Sequence, residues 1–205
     1  MREITVKLYN FSELGKEAQA KAIKDWRDKG YAFGNSDAVV LTNKFIEELE
    51  SYGFDDDVKV EWSLGYCQGD GVAFYGEIDL TKVLPNHLDD FTKDEQRRLY
   101  WLNNEYGISI KTVRNSYGYR YSHAHTMDID LYCDYHTDYR ETELYDEVLQ
   151  KLEDIVLNDI QSLSYKLERE GYEFIERMES DEVIREFFEY NDDCYEFTGD
   201  GTLYR

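Results

Sequence analysis

Hydrophobic and polar residues alternate along several short stretches of the chain, with the period of two that is typical of half-buried β-strands. The clearest stretch covers residues 58–80, where two runs of β-branched and aromatic residues flank the glycine-rich segment 65–71. Val58, Val60 and Trp62 of the first run fall on one face of a strand. This stretch predicts a β-hairpin with a long glycine-rich tip, and its apolar face needs a cover of helices.

The same alternation predicts further strands over residues 4–9, 108–113 and 127–133. Near the C-terminus, Tyr-Glu-Phe-Thr and Thr-Leu-Tyr stand on either side of Gly-Asp-Gly, which predicts a small hairpin over residues 195–204. The strands are therefore expected to occur largely as neighbouring pairs.

Apolar residues at three- and four-residue spacing predict helices over residues 16–29, 36–53, 92–104, 142–169 and 180–190. Local end signals support them, because Gly30 follows the first helix, Thr92 and Glu95 open the third, and Ser180 precedes the last. Strand pairs separated by helices, without a regular β-α-β alternation, predict an α+β fold. Its sheet is mostly antiparallel and built from hairpins, and the helices that cover it include one long helix in the C-terminal half.

The length of the chain limits the number of domains. A chain of 205 residues with 41% apolar residues can bury one sizeable core, so we predict one compact domain over residues 1–205. No apolar run approaches the roughly 20 residues that span a bilayer, and the first residues contain no apolar signal segment. The three cysteines are odd in number and widely spaced, which favours a reducing, cytoplasmic environment.

Charge changes this picture more than any other feature of the composition. The chain has 45 acidic and 23 basic residues, a formal net charge of -22. Residues 128–205 alone contain 24 acidic and seven basic residues, a net charge of -17. Nucleic-acid phosphates and anionic membranes repel such a chain, so we expect neither as a partner and predict a basic protein surface instead.

Four short motifs carry a resemblance to known proteins. They are Tyr9-x-Phe11-Ser12-Glu13-Leu14 before a Lys/Glu-rich helix, Ser63-x-Gly65-x-x-Gln68-Gly69-Asp70-Gly71, Arg120-Tyr121-Ser122-His123, and Tyr195-Glu196-Phe197-Thr198. With these motifs the chain resembles small acidic proteins of unknown role that bacteriophages, prophages and plasmids encode. The resemblance implies a mobile-element origin in a bacterial host cell. It also implies, by analogy, either an inhibitor of host defence that mimics DNA or an antitoxin.

The first hypothesis is that the acidic C-terminal region mimics DNA. Carboxylates on a rigid helix can take the place of phosphates and would meet the lysines and arginines of a nuclease in the same way. We predict a non-enzymatic inhibitor of the anti-CRISPR or anti-restriction type, whose partner is a basic nucleic-acid-binding protein of the host. The residues predicted to contact that partner are Glu168, Glu173, Glu176, Glu179, Asp181, Glu182, Glu186, Glu189, Asp192 and Asp193. The alternative is that these acids only hydrate a helix surface.

The glycine-rich hairpin tip is a second candidate for partner binding. Glycines let a backbone approach a ligand closely, so the tip could dock a partner through Gln68, Gly69, Asp70 and Gly71. It lacks the lysine and the Ser/Thr of a phosphate loop. A docking tip would suit an antitoxin-like or adaptor protein that binds a basic partner. The alternative is a tip with strained turns and no ligand.

Four zinc-capable side chains lie within residues 123–136, namely His123, His125, Cys133 and His136. Two histidines two residues apart on a strand would point to the same side, as a metal site needs. Cys133, however, is in phase with the apolar residues of the predicted strand. We therefore predict no metal and no other cofactor, and keep a metal-binding protein as a further alternative.

Residues 111–121 have the composition of a nucleic-acid surface, because Lys111, Arg114 and Arg120 are interleaved with tyrosines. In a chain this acidic the overall field opposes such binding. We expect these bases to pair with neighbouring carboxylates inside the fold.

No arrangement typical of a catalytic nucleophile occurs in the sequence. It contains no G-x-S-x-G motif and no cysteine beside a histidine in a recognised signature. Carboxylates are too abundant to single out a catalytic pair. We predict a protein without enzymatic activity and name no catalytic residue.

Overall fold

The chain folds as an α+β protein, seen here in a computed structural model that describes residues 5–115, 121–135 and 139–204. Within these residues the α-helices are α1 Lys16–Asp28, α2 Asn35–Tyr52, α3 Leu80–Val83, α4 Lys93–Glu105, α5 Tyr139–Met178 and α6 Asp181–Tyr190. The strands are β1 Leu8–Tyr9, β2 Lys59–Ser63, β3 Gly71–Ile78, β4 Ser109–Arg114, β5 Met127–Tyr132 and β6 Phe197–Thr198. All strand pairs are antiparallel, which confirms the predicted fold class.

The chain divides into two compact units. Unit 1 comprises Met1–Leu41 and Tyr172–Arg205, and unit 2 comprises Thr42–Gly171. The single domain expected from the length stays a prediction, because this division does not show whether the units fold separately. No helix in the described part of the chain has both the length and the apolar composition that crossing a bilayer requires.

Unit 1 joins the two ends of the chain through a two-stranded sheet, in which β1 pairs with β6. The Phe11 ring stacks on Phe188 of α6 at 5.0 Å between centroids, and Phe197 of β6 lies edge-on to Phe188 at 5.2 Å. Ala22 and Ile23 of α1 complete this buried cluster. The predicted strand over residues 4–9 is too long, since the structure places only Leu8 and Tyr9 in a strand.

Unit 2 contains a four-stranded antiparallel sheet in the order β2-β3-β4-β5. The predicted hairpin over residues 58–80 is confirmed as β2 and β3, and the other predicted strand pair as β4 and β5. Consecutive residues Val72, Ala73 and Phe74 of β3 are all buried, as expected of a central strand covered on both faces. The Ser164 hydroxyl of α5 donates a hydrogen bond to the Val72 carbonyl at 2.5 Å, inside the core.

Helix α5 is longer than predicted, because it runs on to Met178 instead of ending near residue 169. Gly171 lies inside this longer helix and has a packing role. A Cβ atom at this position would lie 2.4 Å from Leu64 and 3.0 Å from Phe45, so only glycine fits without displacing those side chains. Helix α3 and the 3₁₀-helix Leu84–Asp90 were not predicted.

Candidate functional site

Helix α6 of unit 1 carries a row of carboxylates along its exposed side. Ser180 caps the helix by accepting a hydrogen bond from the Val183 N–H at 3.3 Å, and the opposite face buries Ile184 and Phe188. Helical spacing then places three glutamates on the outer face, and an aspartate continues the row in the 3₁₀ turn that follows. We call these four exposed residues the acidic stripe: Glu182, Glu186, Glu189 and Asp193.

The carboxylates of the acidic stripe are not neutralised by nearby bases. Within the described residues, none of the four takes part in a hydrogen bond or an ion pair. Arg185, on the same helix, donates instead to the Gln19 side chain at 3.1 Å. The stripe therefore presents its charge to solvent.

The carboxylates of the acidic stripe contribute little to the stability of α6. A helix carries roughly half a positive charge at its N-terminus and half a negative charge at its C-terminus, so Glu182 is favourable and Glu189 is not. The last turn of α6 contains no basic residue to compensate. Like charges three or four residues apart cost about 0.2–0.5 kcal/mol per pair. A need for solubility explains acids anywhere on the surface, but it does not explain this placement.

The other acids predicted to bind a partner have different surroundings. Asp181 forms an ion pair with Arg27, and Asp192 accepts hydrogen bonds from the Ser12 N–H at 2.9 Å and hydroxyl at 2.6 Å. The Glu179 carbonyl accepts from the Arg27 side chain. Glu173 and Glu176 are exposed near the end of α5 and also have contacts.

Glu168, predicted to belong with these acids, lies in unit 2 and is half-buried. The pKa of its carboxyl is raised, chiefly by burial and then by the charge of Asp70, while His123 acts in the opposite direction. Glu168 is therefore grouped with the hairpin tip and not with the acidic stripe.

The glycine-rich hairpin tip is held by its own aspartate. Asp70 accepts hydrogen bonds from the Gly65 and Cys67 N–H groups, both at 2.7 Å, and from the Ser63 hydroxyl at 2.9 Å. These internal bonds occupy both of its carboxylate oxygens. The exposed part of the tip is residues 65–68, and Tyr66 has a positive φ of 56°.

Two glycines of the tip are required by close packing. A Cβ atom on Gly69 would lie 2.3 Å from the Tyr121 ring, and one on Gly71 would lie 2.6 Å from the His123 Cβ. Both glycines also have positive φ angles. The packing explains this sequence motif without a ligand, and docking through Gln68, Gly69, Asp70 and Gly71 stays a prediction.

His125 lies in the 3₁₀ turn Ala124–Thr126 that precedes β5, and His123 is the residue immediately before that turn, so the same-side geometry of two strand residues does not apply to them. His123 caps this turn by accepting a hydrogen bond from the His125 N–H at 3.1 Å. The Nε2 atom of the His125 ring lies 2.8 Å from the Tyr165 hydroxyl. These local bonds occupy two of the four predicted metal ligands.

Cys133 is half-buried, and burial, followed by the nearby Asp134, raises the pKa of its thiol. His136 lies outside the described residues. Among the residues that the structure does describe, no group of three or more His, Cys, Asp or Glu side chains could hold a metal ion. The alternative of a metal site that includes His136 is therefore not tested.

The basic residues of the segment 111–121 behave as expected where the structure describes them. Lys111 forms an ion pair with Asp130 across the sheet at 3.4 Å, and Arg114 pairs with Glu61. Arg120 lies outside the described residues. The two described bases are therefore balanced by neighbouring carboxylates.

Sequence reasoning missed one polar network in unit 2, built around His87. Its two ring nitrogens lie 2.7 Å from Asp159 and 3.2 Å from Asp90, and the Tyr52 hydroxyl donates to Asp159 at 2.9 Å. Burial, followed by Asp159, raises the pKa of Tyr52. Each ring nitrogen of His87 therefore faces a carboxylate. The residues are far apart in sequence, so no local pattern could have indicated the network.

Comparison with known proteins identifies one family. A protein-family model described as a domain of unknown function (DUF8835) matches residues 38–181, which is more than half of the chain. No curated protein and no solved structure matches the chain. The matched region includes all of unit 2 and ends immediately before the acidic stripe.

Proposed function

Because the chain belongs to this family of domains of unknown function, we propose its function from its own surface. We propose a non-enzymatic protein that binds the basic nucleic-acid-binding site of another protein through the acidic stripe. The observation that carries the proposal is a set of four exposed carboxylates on α6 and the 3₁₀ turn after it, none of which forms an ion pair with another residue that the structure describes. Such a set attracts lysines and arginines that otherwise contact phosphates.

The charge density of the stripe indicates how far the likeness to DNA extends. At 1.5 Å per residue, the three glutamates from Glu182 to Glu189 extend over about 10 Å, or one charge per roughly 5 Å of helix axis. A single DNA strand carries one charge per about 3.4 Å. The stripe alone is thus less dense than one strand, so acids outside the stripe have to contribute to the contact.

The proposed partner is a defence protein of a bacterial host, such as a CRISPR effector or a restriction enzyme. Support for this partner comes from the resemblance to small acidic phage and plasmid proteins and from the net charge of -22. Basic channels that hold nucleic acid are rich in lysine and arginine, and opposite net charges speed association.

The test is displacement of fluorescent duplex DNA from purified candidate nucleases at about 50 and about 300 mM NaCl, since added salt screens such contacts. We expect displacement at the lower concentration and a loss of at least about tenfold in potency at the higher one. Displacement that is absent, or that does not depend on salt, would contradict the proposal.

A matched pair of variants separates the stripe from the total charge. The stripe variant replaces four acids by amides: Glu182→Gln, Glu186→Gln, Glu189→Gln and Asp193→Asn. The control variant makes the same change in net charge at four exposed acids of unit 2: Glu47→Gln, Glu50→Gln, Asp56→Asn and Asp57→Asn. We expect the stripe variant to lose potency at least about tenfold and the control to stay within about twofold.

Stability provides a second measurement on the same variants. The substitutions remove repulsion between neighbouring glutamates, and this gain offsets the lost interaction of Glu182 with the helix dipole. The unfolding free energy of the stripe variant should therefore lie within about 0.5 kcal/mol of the wild-type value. A loss of potency is then a loss of binding and not of folding. Equal potency of the two variants would show that the stripe has no special role.

A second candidate is an antitoxin-like or adaptor protein that docks through the hairpin tip. The observation in its favour is Tyr66, which is 66% exposed at the end of a tip fixed by the Asp70 hydrogen bonds. Exposed tyrosines on rigid supports often dominate protein interfaces. Co-purification from the native host distinguishes the two candidates, because a dedicated partner would be recovered in fixed stoichiometry and lost with Tyr66→Ser.

A further inference from the structure

Unit 1 contains a pocket with three aromatic rings in its walls. It has a volume of about 270 Å³ and lies between the end of α1, the start of α2 and the face of α6. Trp26, Tyr31 and Phe187 supply the rings, Met178 adds a flexible apolar wall, and Asp37 supplies a carboxylate. None of these residues belongs to the acidic stripe, and no sequence pattern had indicated the pocket.

Two of the three pocket rings, Trp26 and Phe187, are packed among other rings before any ligand arrives, whereas the Tyr31 side chain is 54% exposed. Tyr31 lies 5.0 Å from Trp26 between centroids at an interplanar angle of 68°, and Phe187 lies 5.4 Å away at 31°. Phe188 and Tyr195 support the Trp26 ring edge-on, at 5.0 and 5.3 Å. A ligand would therefore bind without the entropic cost of ordering Trp26 and Phe187.

The carboxylate of Asp37 is also held in place, with one oxygen left over. Its Oδ2 accepts a hydrogen bond from the Gly34 N–H at 2.9 Å. Its Oδ1 makes no hydrogen bond or ion pair within the residues that the structure describes. Asp37 is the only charged side chain among the described residues that line the pocket. Its full negative charge outweighs the partial positive charge at the start of α2.

The aromatic rings and the Asp37 carboxylate together determine which kind of ligand the pocket can bind. Aromatic faces with a single carboxylate attract organic cations, whose charge interacts with the rings while the carboxylate balances it. An anion would be repelled by Asp37, and a neutral apolar ligand would bury the charge of that carboxylate without a compensating cation, which is unfavourable. The net charge of -22 adds a long-range attraction for cations.

We propose that this pocket binds the cationic end of an arginine or lysine side chain from a basic protein partner. Met178 and Val183 contact the aliphatic stem while the rings and Asp37 surround the charge. The proposal rests on the proposed function for the source of the cation, since a basic partner supplies such side chains. The pocket itself is separate from the acidic stripe and can be tested without any partner.

The test uses two small probes that differ in charge but hardly in shape, N-acetyl-arginine methylamide and N-acetyl-citrulline methylamide. The indole N–H signal of Trp26 is followed by NMR in the full-length protein during titration with each probe. We expect a saturable shift with the arginine probe and at least about fivefold weaker binding of the citrulline probe. No shift, or equal binding of the two probes, would overturn the proposal.

Two variants connect the binding to the pocket. Asp37→Asn removes the charge but retains an oxygen that can accept from Gly34, and Phe187→Leu removes a ring but keeps an apolar wall. Asp28→Asn, an exposed acid of α1 that does not line the pocket, makes the same charge change as a control. We expect each pocket variant to weaken binding of the arginine probe at least about fivefold and the control to stay within about twofold. Unchanged binding in both pocket variants would overturn the proposal.

A third probe, tetramethylammonium, tests the source of the cation. Binding of this ion at least tenfold tighter than the arginine probe would replace the side-chain proposal by a site for a small quaternary ammonium compound. The outcome is independent of DNA displacement by the stripe. If the pocket binds no probe but the stripe variant displaces less DNA than the wild type, only the pocket proposal fails. If the pocket binds the arginine probe but the stripe variant displaces DNA as well as the wild type, only the proposed function fails.

Discussion

Two glycines of unit 1 share a backbone conformation but not their surroundings. Gly30 and Gly201 have φ angles of 71° and 84°, both in the left-handed region that favours glycine. A Cβ atom on Gly30 would meet nothing within 4 Å, whereas one on Gly201 would lie 2.1 Å from the Ala18 carbonyl oxygen. At Gly201 the close approach of the C-terminal turn to α1 therefore adds a second requirement for glycine.

Substitution of the two glycines by alanine should separate these requirements. Gly30→Ala carries only the cost of a left-handed alanine, about 1 kcal/mol of unfolding free energy. Gly201→Ala adds a clash with backbone, which cannot be relieved by a side-chain rotation, and should cost at least about 2 kcal/mol more. Urea unfolding of both variants provides the measurement. Equal losses would contradict the close approach at Gly201.

At the scale of elements, α5 and β5 bring several carboxylates together in unit 2. Burial raises the pKa of Glu153 on α5, and the charges of Asp128, Asp154 and Asp130 raise it further. The ion pair between Lys111 and Asp130 compensates only part of this charge. Because β5 is an edge strand, its outward aspartates also discourage pairing with another chain.

The raised pKa of Glu153 predicts a dependence of stability on pH. A carboxyl with a raised pKa keeps its proton in the folded state at pH values where the unfolded chain has already lost it. Stability due to this group is thus present below the ordinary carboxyl pKa and is lost as the pH rises through the raised value. Glu153→Gln removes that loss, so it should stabilise the protein at pH 7 by less than about 1 kcal/mol.

The measurement is the unfolding free energy of the wild type and Glu153→Gln between about pH 4 and pH 7. The difference between them should shrink toward the acidic end. Glu147→Gln, an exposed acid on the same helix, serves as the control and should show no comparable gain. A gain from Glu153→Gln that is equally large at both ends of the range would contradict the linkage.

The elements that could be predicted from the sequence are those with local signals. Thr92 and Glu95 form the capping box that opens α4, and each accepts a hydrogen bond from the backbone N–H of the other. The alternation in residues 58–80 was sufficient for β2 and β3. Long-range packing was not predictable in this way: β1 pairs with β6 from the other end of the chain, and α5 continues through Gly171.

The candidate sites likewise divide into those that a local sequence pattern indicates and those that depend on long-range packing. The predicted helix over residues 180–190 accounts for the exposure of Glu182, Glu186 and Glu189, whereas their binding of a partner stays a prediction. The sequence did not indicate the aromatic pocket, because Trp26 and Phe187 come from opposite ends of the chain. His123 and His125 would share one side only on a strand, and the structure places them at a 3₁₀ turn that His123 caps by accepting from the His125 N–H.

For the whole molecule, negative charge is not confined to one unit. The sequence of unit 1 contains 17 acidic and ten basic residues, and that of unit 2 contains 28 and 13. The acidic last third of the chain contributes to both units. The total charge therefore does not identify the binding surface, and the arrangement of the stripe has to do so.

Self-repulsion within such a chain predicts that moderate salt stabilises it. Raising NaCl from about 10 to about 100 mM shortens the screening length from about 30 to about 10 Å, which weakens repulsion among the excess acids. We expect the midpoint of thermal unfolding at pH 7 to rise, while DNA displacement weakens over the same range. At a pH near the isoelectric point of about 4.4 the salt effect should be much smaller. A salt effect of equal size at both pH values would contradict the explanation.

The positions of the cysteines have a practical consequence. Cys194 in unit 1 and Cys67 in unit 2 are exposed, whereas the third thiol, Cys133, is half-buried and has a raised pKa. Alkylation requires the thiolate, so mild conditions favour the two exposed positions. A donor and an acceptor dye can thus be attached, one to each unit, without introducing a new cysteine. Energy transfer between them during denaturation would show whether the units unfold together or one after the other.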